Sequence, residues 1–198
     1  MKIRNLCLLA ALSLTAVGSC WADSSDSSQP IQIFSDKFDG DDVKQIATYT
    51  GSVAVHQGTL EIHGAKLVIT VDPQGYKNAV MTPDKGKLVT FKQRRDPKTK
   101  GVEEWMHGSG NKLTYDEKKN QLILTTNAVV SRRENGKLKD SSKGERIIYN
   151  LTTSTAVIDG NKSRGSNGRV RTIIAPKDNP NQSKGTAVKL TPNSRVNK

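Results

Sequence analysis

The fold is decided by residues 49–67, which read YTGSVAVHQGTLEIHGAKL. Within this stretch, residues 52–56 and 59–63 carry apolar side chains at alternate positions, and Gln57-Gly58 separates the two runs. Alternation with a period of two places one set of side chains on one face of a strand. A short connection that contains glycine is typical of a hairpin. The stretch therefore predicts two antiparallel strands that share one apolar face.

The same pattern of short alternating runs continues on both sides of this hairpin. The runs are rich in Val, Ile and Thr, and Gly, Asn, Asp or Pro separates them at short intervals, as in all-β proteins. Further strands are predicted at residues 31–33, 45–50, 66–71, 78–81, 87–92, 102–107, 111–115, 121–126, 128–133, 137–141, 145–150, 153–159 and 169–174. No window keeps apolar residues at helical spacing. The sequence predicts an all-β, antiparallel domain with essentially no long helix.

Composition limits what such a domain contains. The chain has 198 residues, a formal net charge of +12, 34% hydrophobic residues and only 5% aromatic residues. This length fits one domain of about 100–200 residues, and the low aromatic content favours a thin sheet structure over a thick closed core. Two cysteines exclude a disulfide-rich scaffold and a four-cysteine zinc site.

The sequence divides into four segments. Residues 1–22 have the order of a secretory signal peptide, with a positive start, an apolar run at 6–18 and small residues before Ala22. Residues 23–29 are expected to be flexible, residues 30–176 to form the β-domain, and residues 177–198 to form a basic disordered tail. The expected cleavage follows Ala22 and gives a soluble exported protein. The alternative is cleavage before Cys20, which gives a lipoprotein.

Export also bears on the meaning of the positive charge. Nucleic acid would suit the charge, but an exported chain does not meet it. An anionic amphiphile or a membrane headgroup remains as a partner, since basic residues raise the local concentration of anions. An ordinary solvated surface is the alternative.

Residues that would support catalysis or metal binding are scarce. His56, His63 and His107 are the only histidines, and a zinc site needs further ligands. Adjacent carboxylates such as Glu103-Glu104 point to opposite faces of a strand and cannot act together as general acid and base. The sequence predicts a protein that is not an enzyme and has no metal or cofactor.

Several stretches together resemble the OstA-like family of lipopolysaccharide-export domains. The matching stretches are residues 29–33, 49–67, 86–93, 113–115 and 143–149, and the resemblance runs from about Pro30 to Ile174. The family has Ala-Asp-Lys where this chain has Gly64-Ala65-Lys66. The resemblance implies an open, twisted, V-shaped antiparallel β-jelly-roll that holds the acyl chains of lipid A between two sheets.

The resemblance also implies a location and partners. It implies a periplasmic bridge that passes lipopolysaccharide from the inner to the outer membrane through head-to-tail assembly. An LptC-like inner-membrane protein is expected at the N-terminal edge, an LptD-like outer-membrane protein at the C-terminal edge, and further copies of the chain between them. Two alternatives are an LptC-like membrane-anchored partner of the same pathway and an envelope carbohydrate-binding or carbohydrate-active β-protein.

The predicted lipid contacts are the inward-facing apolar residues of the strands. They are Ile31, Ile33, Val53, Val55, Leu60, Ile62, Leu67, Ile69, Val89, Phe91, Leu113, Tyr115, Leu122, Leu124, Ile147 and Tyr149. Ile31, Ile33, Phe91 and Tyr115 match positions that face lipid in the family. The ligand is expected to supply the core volume that the few aromatic residues leave unfilled.

Two further groups of residues are assigned roles at the borders of the sheet. Candidate contacts to phosphates or acidic sugars at the rim are Lys66, Lys77, Lys87, Lys92, Arg94 and Arg95. The strands near Ile31 and at residues 169–174 are predicted to be free edges. Unpaired backbone groups at such edges can add neighbouring chains strand by strand.

Overall fold

Twelve antiparallel strands form the domain. The computed structural model describes residues 26–96, 99–161, 163, 165 and 168–176. The strands are β1 Gln32–Phe34, β2 Lys37–Asp41, β3 Ile46–Gln57, β4 Leu60–Val71, β5 Lys77–Thr82, β6 Val89–Arg95, β7 Glu104–Gly110, β8 Lys112–Asp116, β9 Gln121–Glu134, β10 Lys137–Asn150, β11 Thr155–Asp159 and β12 Arg171–Ile174. The predicted all-β class is confirmed.

The predicted signal peptide at 1–22 and the predicted tail at 177–198 lie outside the described residues. In the part of the chain that the structure describes, no helix is long and apolar enough to cross a membrane.

The sheet is folded into two layers because four long strands run through both. β3, β4, β9 and β10 have 12 or 14 residues each. One half of each long strand lies in layer A, where the strand order is β2-β3-β4-β5-β8-β9-β10-β11. The other half lies in layer B, where the strand order is β1-β3-β4-β6-β7-β9-β10-β12. This arrangement agrees with the predicted twisted β-jelly-roll.

Irregular residues mark the line where the long strands pass from one layer to the other. In β3, Gly51 has a φ of 82° and Ser52 a φ of 44°, and in β9 Thr126 and Asn127 have φ values of 58° and 56°. Such interruptions bend a strand and increase its twist. The sequence predicts β3, β4, β9 and β10 as two strands each, divided near these positions. The turn-like residues are therefore bends within continuous strands and not chain reversals.

The inner faces of the two layers meet in an apolar core. Phe91 of layer B and Tyr149 of layer A stack with their ring centroids 5.5 Å apart. Gly108 lies beneath the Phe91 ring, where a Cβ atom would overlap it. The buried core residues are Val53, Leu60, Ile62, Leu67, Met81, Val89, Phe91, Met106, Leu113, Leu122, Leu124, Ala128, Val130, Ile147 and Tyr149.

Each end of the sheet consists of two short strands. β1 pairs with residues 54–56 of β3 and β2 with residues 46–50. At the other end, β11 and β12 pair with different halves of β10. The sequence predicts the edges near Ile31 and at 169–174 but misses β2. Each edge is divided between the two layers, which the strand pattern alone does not indicate.

A 3-10 turn at Asp26–Ser28 is attached to layer B. The Asp26 carboxylate accepts hydrogen bonds from the backbone N–H and the hydroxyl of Thr59, at 2.7 and 2.9 Å, and from the Gln93 side-chain amide at 2.8 Å. The sequence predicts a flexible segment at 23–29, but Asp26 is held by these three bonds. Thr59 and Gln93 are 33 and 67 residues away in the chain, so no local pattern reveals the attachment.

Candidate functional site

An apolar cavity of about 70 Å³ lies between the layers at the N-terminal end of the sheet. Its lining consists of Ile31, Ile33, Val55, Gln57, Leu60 and Ile62 from layer B and its border, and Leu67, Ile69, Lys77, Ala79, Met81, Leu113, Tyr115 and Leu122 from layer A. We call this space the apolar cavity. Burial raises the pKa of Tyr115, with Glu117 and Asp116 acting in the same direction. The phenol therefore stays neutral beside the aliphatic side chains.

Beyond the apolar cavity, the protein's own side chains fill the interior. Val89, Phe91, Leu124, Ile147 and Tyr149 are at most 2% exposed, which is the close packing of an ordinary protein core. The expectation that a ligand completes the core needs correction for this central part. The stacked rings of Phe91 and Tyr149 bridge the two layers there, so a small number of aromatic residues is sufficient to fill this part of the core.

The predicted lipid contacts divide between these two regions. Ten line the apolar cavity: Ile31, Ile33, Val55, Leu60, Ile62, Leu67, Ile69, Leu113, Tyr115 and Leu122. Six belong to the closed core: Val53, Val89, Phe91, Leu124, Ile147 and Tyr149. The sequence prediction omits the cavity residues Gln57, Lys77, Ala79 and Met81. Ala79 and Met81 are two residues apart in β5 and therefore lie on one face of the strand. The period-two pattern is the sequence signal that could have identified them.

Charged side chains face the interior near the C-terminal end of layer B. Arg132 follows the buried Val130 by two residues and lies on the same face. Its Nε donates to Asp140 Oδ2 at 2.7 Å, and its Nη1 donates to Glu104 Oε2 at 3.4 Å and to Glu134. Burial acts to lower the pKa of Arg132, but these hydrogen bonds and charges outweigh burial and raise it. The guanidinium is therefore held in its charged form.

A second arginine extends this network. Arg95 Nη1 lies 3.1 Å from Glu104 Oε1, and the Glu104 side chain is only 10% exposed. We call Arg95, Glu104, Arg132, Glu134 and Asp140 the ion cluster. Buried charges are tolerated only when they are paired, and apolar chains gain nothing by lying beside them. The apolar lining of the interior thus ends before the C-terminal edge of layer B.

Most of the predicted basic rim is already paired with carboxylates. The ion pairs are Lys77 with Glu117 at 3.3 Å, Lys87 with Asp84 at 3.1 Å, Lys92 with Glu61 at 3.0 Å and Arg95 with Glu104 at 3.1 Å. Lys66 is an exposed residue of β4. The paired residues offer less charge to an added phosphate than the sequence suggests.

The histidines do not assemble a metal centre in the described residues. The rings of His56 and His63 lie 6.1 Å apart, edge to face, and Phe34 lies against His56 in the same row. No group of three or more His, Cys, Asp or Glu side chains suited to a metal ion occurs in the described ranges. The contact between His56 and His63 is therefore an aromatic contact.

A second pocket, of about 160 Å³, lies beside the apolar cavity. Its lining combines layer B, layer A and the 3-10 turn: Asp26, Ser27, Gln57, Thr59, Leu60, Gln93, Arg94, Arg95, Asp96, Asn120, Leu151, Thr152 and Ser154. We call it the polar pocket. Gln57 and Leu60 line both spaces, so an apolar and a polar compartment adjoin at one place.

Comparison with known proteins connects this architecture to a family. Residues 32–155 match the family model described as LptA/(LptD N-terminal domain) LPS transport protein. The chain is 31% identical over 172 residues to the lipopolysaccharide export system protein LptA of Escherichia coli K12, which covers 87% of this chain and 84% of that protein. It is 32% identical over 176 residues to LptA of Haemophilus influenzae, covering 88% of this chain and 93% of that protein.

A solved structure has the same fold. The crystal structure of LptH, the LptA-homologous periplasmic component of the lipopolysaccharide transport device of Pseudomonas aeruginosa, aligns with a TM-score of 0.61 and 24% identity. The alignment covers 77% of this chain and 99% of that chain. At this level of identity the likeness concerns the fold.

Proposed function

The chain belongs to the family of LptA and LptD N-terminal-domain lipopolysaccharide transport proteins, and we propose that it binds lipopolysaccharide in the periplasm and passes it toward the outer membrane. The observation that carries this proposal is the apolar cavity between the layers, where acyl chains of lipid A would be shielded from water. Each buried methylene contributes about 0.8 kcal/mol, so a few carbon atoms suffice for reversible binding.

The size of the cavity sets a condition on this binding. A cavity of about 70 Å³ has room for only a few methylene groups. An acyl chain of lipid A is longer than this. Binding of a complete chain therefore requires the two layers to separate along the closed core next to the cavity.

The two divided edges support assembly into a bridge. Among the described residues, β1 and β2 pair on one side only at one end of the sheet, and β11 and β12 do so at the other. Strand addition at both ends would join an LptC-like inner-membrane protein at the N-terminal edge, further copies of the chain, and an LptD-like outer-membrane protein at the C-terminal edge. An open head-to-tail contact of this kind forms filaments.

The proposed activity is transport without chemical change of the lipid. The relatives are named as export and transport proteins, and we infer that this chain also catalyses no reaction and reaches the periplasm by cleavage of its signal peptide. N-terminal sequencing of the exported protein would test the second point, with Asp23 as the expected first residue.

Photo-crosslinking tests the binding site. A photoreactive amino acid at Tyr115, in the apolar cavity, is expected to capture lipopolysaccharide when the protein is irradiated with it. The matched control is the same substitution at Lys119, in the turn between β8 and β9, where no capture is expected. Equal capture at both positions would refute the assignment of the cavity.

A further inference from the structure

The outward sides of the two layers differ in charge. Outward-facing strand residues alternate with the residues that face the interior. In layer A the outward-facing charges balance, since cations and carboxylates are equal in number: Lys37, Lys66, Lys112 and Arg146 against Asp39, Asp41, Asp116 and Asp159. In the described strands of layer B, the cations exceed the carboxylates: Lys92, Arg94, Arg133, Lys143 and Arg171 against Glu61. We call the outward side of layer B the basic face.

Two cations of the basic face lie directly opposite each other. Lys143 of β10 and Arg171 of β12 are cross-strand partners, and both are exposed. Neither forms an ion pair with a described residue. Like charges in this position repel each other, so an anion placed between them would be stabilising. Lys92 differs, because its Nζ lies 3.0 Å from a carboxylate oxygen of Glu61.

Apolar side chains are exposed among these basic residues. Phe34, Leu138 and Ile173 belong to the basic face and are 56%, 42% and 52% exposed. Trp105 belongs to the same face, with Lys92 Nζ 5.5 Å from its ring centroid. Basic residues combined with exposed apolar and tryptophan side chains are typical of surfaces that bind at the boundary between water and anionic lipid.

The cations of the basic face are spread over several strands. They lie on β6, β9, β10 and β12, and the strand order here is β6-β7-β9-β10-β12. With neighbouring strands about 4.8 Å apart, these strands span roughly 19 Å. A single anion cannot contact cations over this distance, whereas a surface that carries many anionic headgroups can.

We propose that the basic face docks on the surface of an anionic phospholipid bilayer. Lys143 and Arg171 contact lipid phosphate groups, and the exposed apolar side chains enter the headgroup layer. This docking is independent of lipid binding between the layers, because the basic face lies on the outward side of layer B. It gives the excess positive charge of the chain a place in the fold and a partner.

Co-sedimentation with vesicles tests the docking. Vesicles of equal parts phosphatidylglycerol and phosphatidylcholine are compared, at low salt, with vesicles of phosphatidylcholine that has the same acyl chains. The protein is expected to bind the anionic vesicles only, and about 0.5 M salt should release it. Uptake of an acyl chain into the apolar cavity would give equal binding to both kinds of vesicle, and this result would overturn the proposal.

Two matched double variants locate the contact. Lys143→Gln with Arg171→Gln removes two charges from the basic face and should weaken binding to anionic vesicles about ten- to thirty-fold. Lys37→Gln with Lys112→Gln removes two charges from the outward side of layer A and should weaken it less than about three-fold. Equal weakening in the two double variants would show that total charge governs binding, and the basic face would be the wrong assignment.

Thermal unfolding of the same variants provides a second readout. Because Lys143 and Arg171 repel each other, their replacement should leave the melting temperature unchanged or raise it. A clear fall would show that the two side chains bond within the protein and would contradict the proposal.

Poly-L-glutamate serves as the probe for an acidic protein. If the protein binds poly-L-glutamate but not the anionic vesicles, the basic face takes an acidic protein and the membrane proposal is wrong. If the protein binds neither, the basic face is an ordinary solvated surface. Both results leave the proposed function untouched, because the apolar cavity is not involved.

Discussion

The two ends of the interior are built on the same strand alternation, but their chemistry is opposite. At the N-terminal end, alternate residues such as Ile33, Val55 and Ile69 line the apolar cavity. Near the C-terminal end of layer B, the same alternation carries the chain from the buried Val130 to Arg132 in the ion cluster. The stacked rings of Phe91 and Tyr149 belong to the closed core and join the two layers there.

This difference indicates that the lining of the interior changes from apolar to charged along the sheet. An acyl chain gains free energy by burial in the apolar cavity, but beside the ion cluster it would gain little and would disturb paired charges. Loading is therefore expected to start at the N-terminal end. Movement of the acyl chain beyond the apolar cavity requires the closed core to open. Substitutions in the apolar cavity, the closed core and the ion cluster should therefore have separate effects on binding and stability.

The largest effect is expected from a change at the closed centre. Phe91→Ala removes one of the stacked rings and leaves a cavity between the layers, which should lower the free energy of unfolding by about 3–5 kcal/mol. The matched control is Phe34→Ala, since Phe34 is 56% exposed and its loss should cost under about 1 kcal/mol. Urea denaturation measures both. Similar losses in the two variants would mean that the centre is not closed.

The next effect distinguishes the inward and outward faces of β9 near the charged end. Arg132→Met leaves Glu104 without one of its partners and should destabilise by about 1–3 kcal/mol, less than for a fully buried pair because the Arg132 side chain is 28% exposed. Arg133→Met changes the neighbouring, exposed arginine and should cost under about 0.5 kcal/mol.

A double variant sharpens this result. Adding Asp140→Asn to Arg132→Met removes the carboxylate to which Arg132 Nε donates at 2.7 Å and should recover part of the lost stability. If Arg132→Met and Arg133→Met unfold at the same urea concentration, the ion cluster does not distinguish this end of the interior.

A change at the N-terminal end should affect binding more than stability. Ala79 lines the apolar cavity, and Ala79→Leu fills space for two or three methylene groups, which should weaken lipopolysaccharide binding about ten-fold or more. Val80→Leu adds bulk at the neighbouring position on the opposite face and should leave binding unchanged. Equilibrium binding to fluorescent lipopolysaccharide measures the difference. Equal affinities of the two variants would show that the apolar cavity does not bind the lipid.

Strand alternation predicts this architecture better than it predicts the interior. The pattern identifies nearly all strands and ten cavity residues, because one inward face is apolar along most of the sheet. The pattern predicts turns at Gly51 and Asn127, where the structure has bends within continuous strands. Residues that permit positive φ occur both in bends and in hairpin turns, so residue type alone does not distinguish the two. The closed centre depends on Phe91 and Tyr149 meeting across layers, and contacts between residues so distant in the chain leave no local signal.

The sequence predicts the inward position of Arg132 but not its partners in the ion cluster. The sequence predicts a strand at residues 128–133, and alternation places Arg132 on the face of Val130. Its partners Glu104 and Asp140 come from β7 and β10, which only the strand order brings together. The attachment of Asp26 to Gln93 depends in the same way on distant segments.

The smallest effect concerns an ion pair on the outer face of layer B, in contrast to the ion cluster inside. The hydrogen bond from Lys92 lowers the pKa of Glu61 against the opposing effect of burial. The stabilisation from Glu61 is therefore present above its ordinary pKa of 4.5 and is lost as the pH falls through the lowered value of the folded state.

Glu61→Gln measures this contribution. It should cost under about 0.5 kcal/mol at pH 7, and the difference from the wild type should be smaller at pH 3. Chemical denaturation at the two pH values measures it. A cost as large as that of Arg132→Met would contradict the contrast between the outer and inner faces.

Methyl NMR tests the graded interior most directly. With isoleucine methyl groups labelled and lauric acid added, nuclear Overhauser contacts from the alkyl chain are expected first at Ile33, Ile62 and Ile69, which line the apolar cavity. Ile147 in the closed core and Ile158 beside it should show contacts only later or not at all. Contacts of equal strength at both ends, or at Ile147 and Ile158 alone, would contradict loading at the N-terminal end.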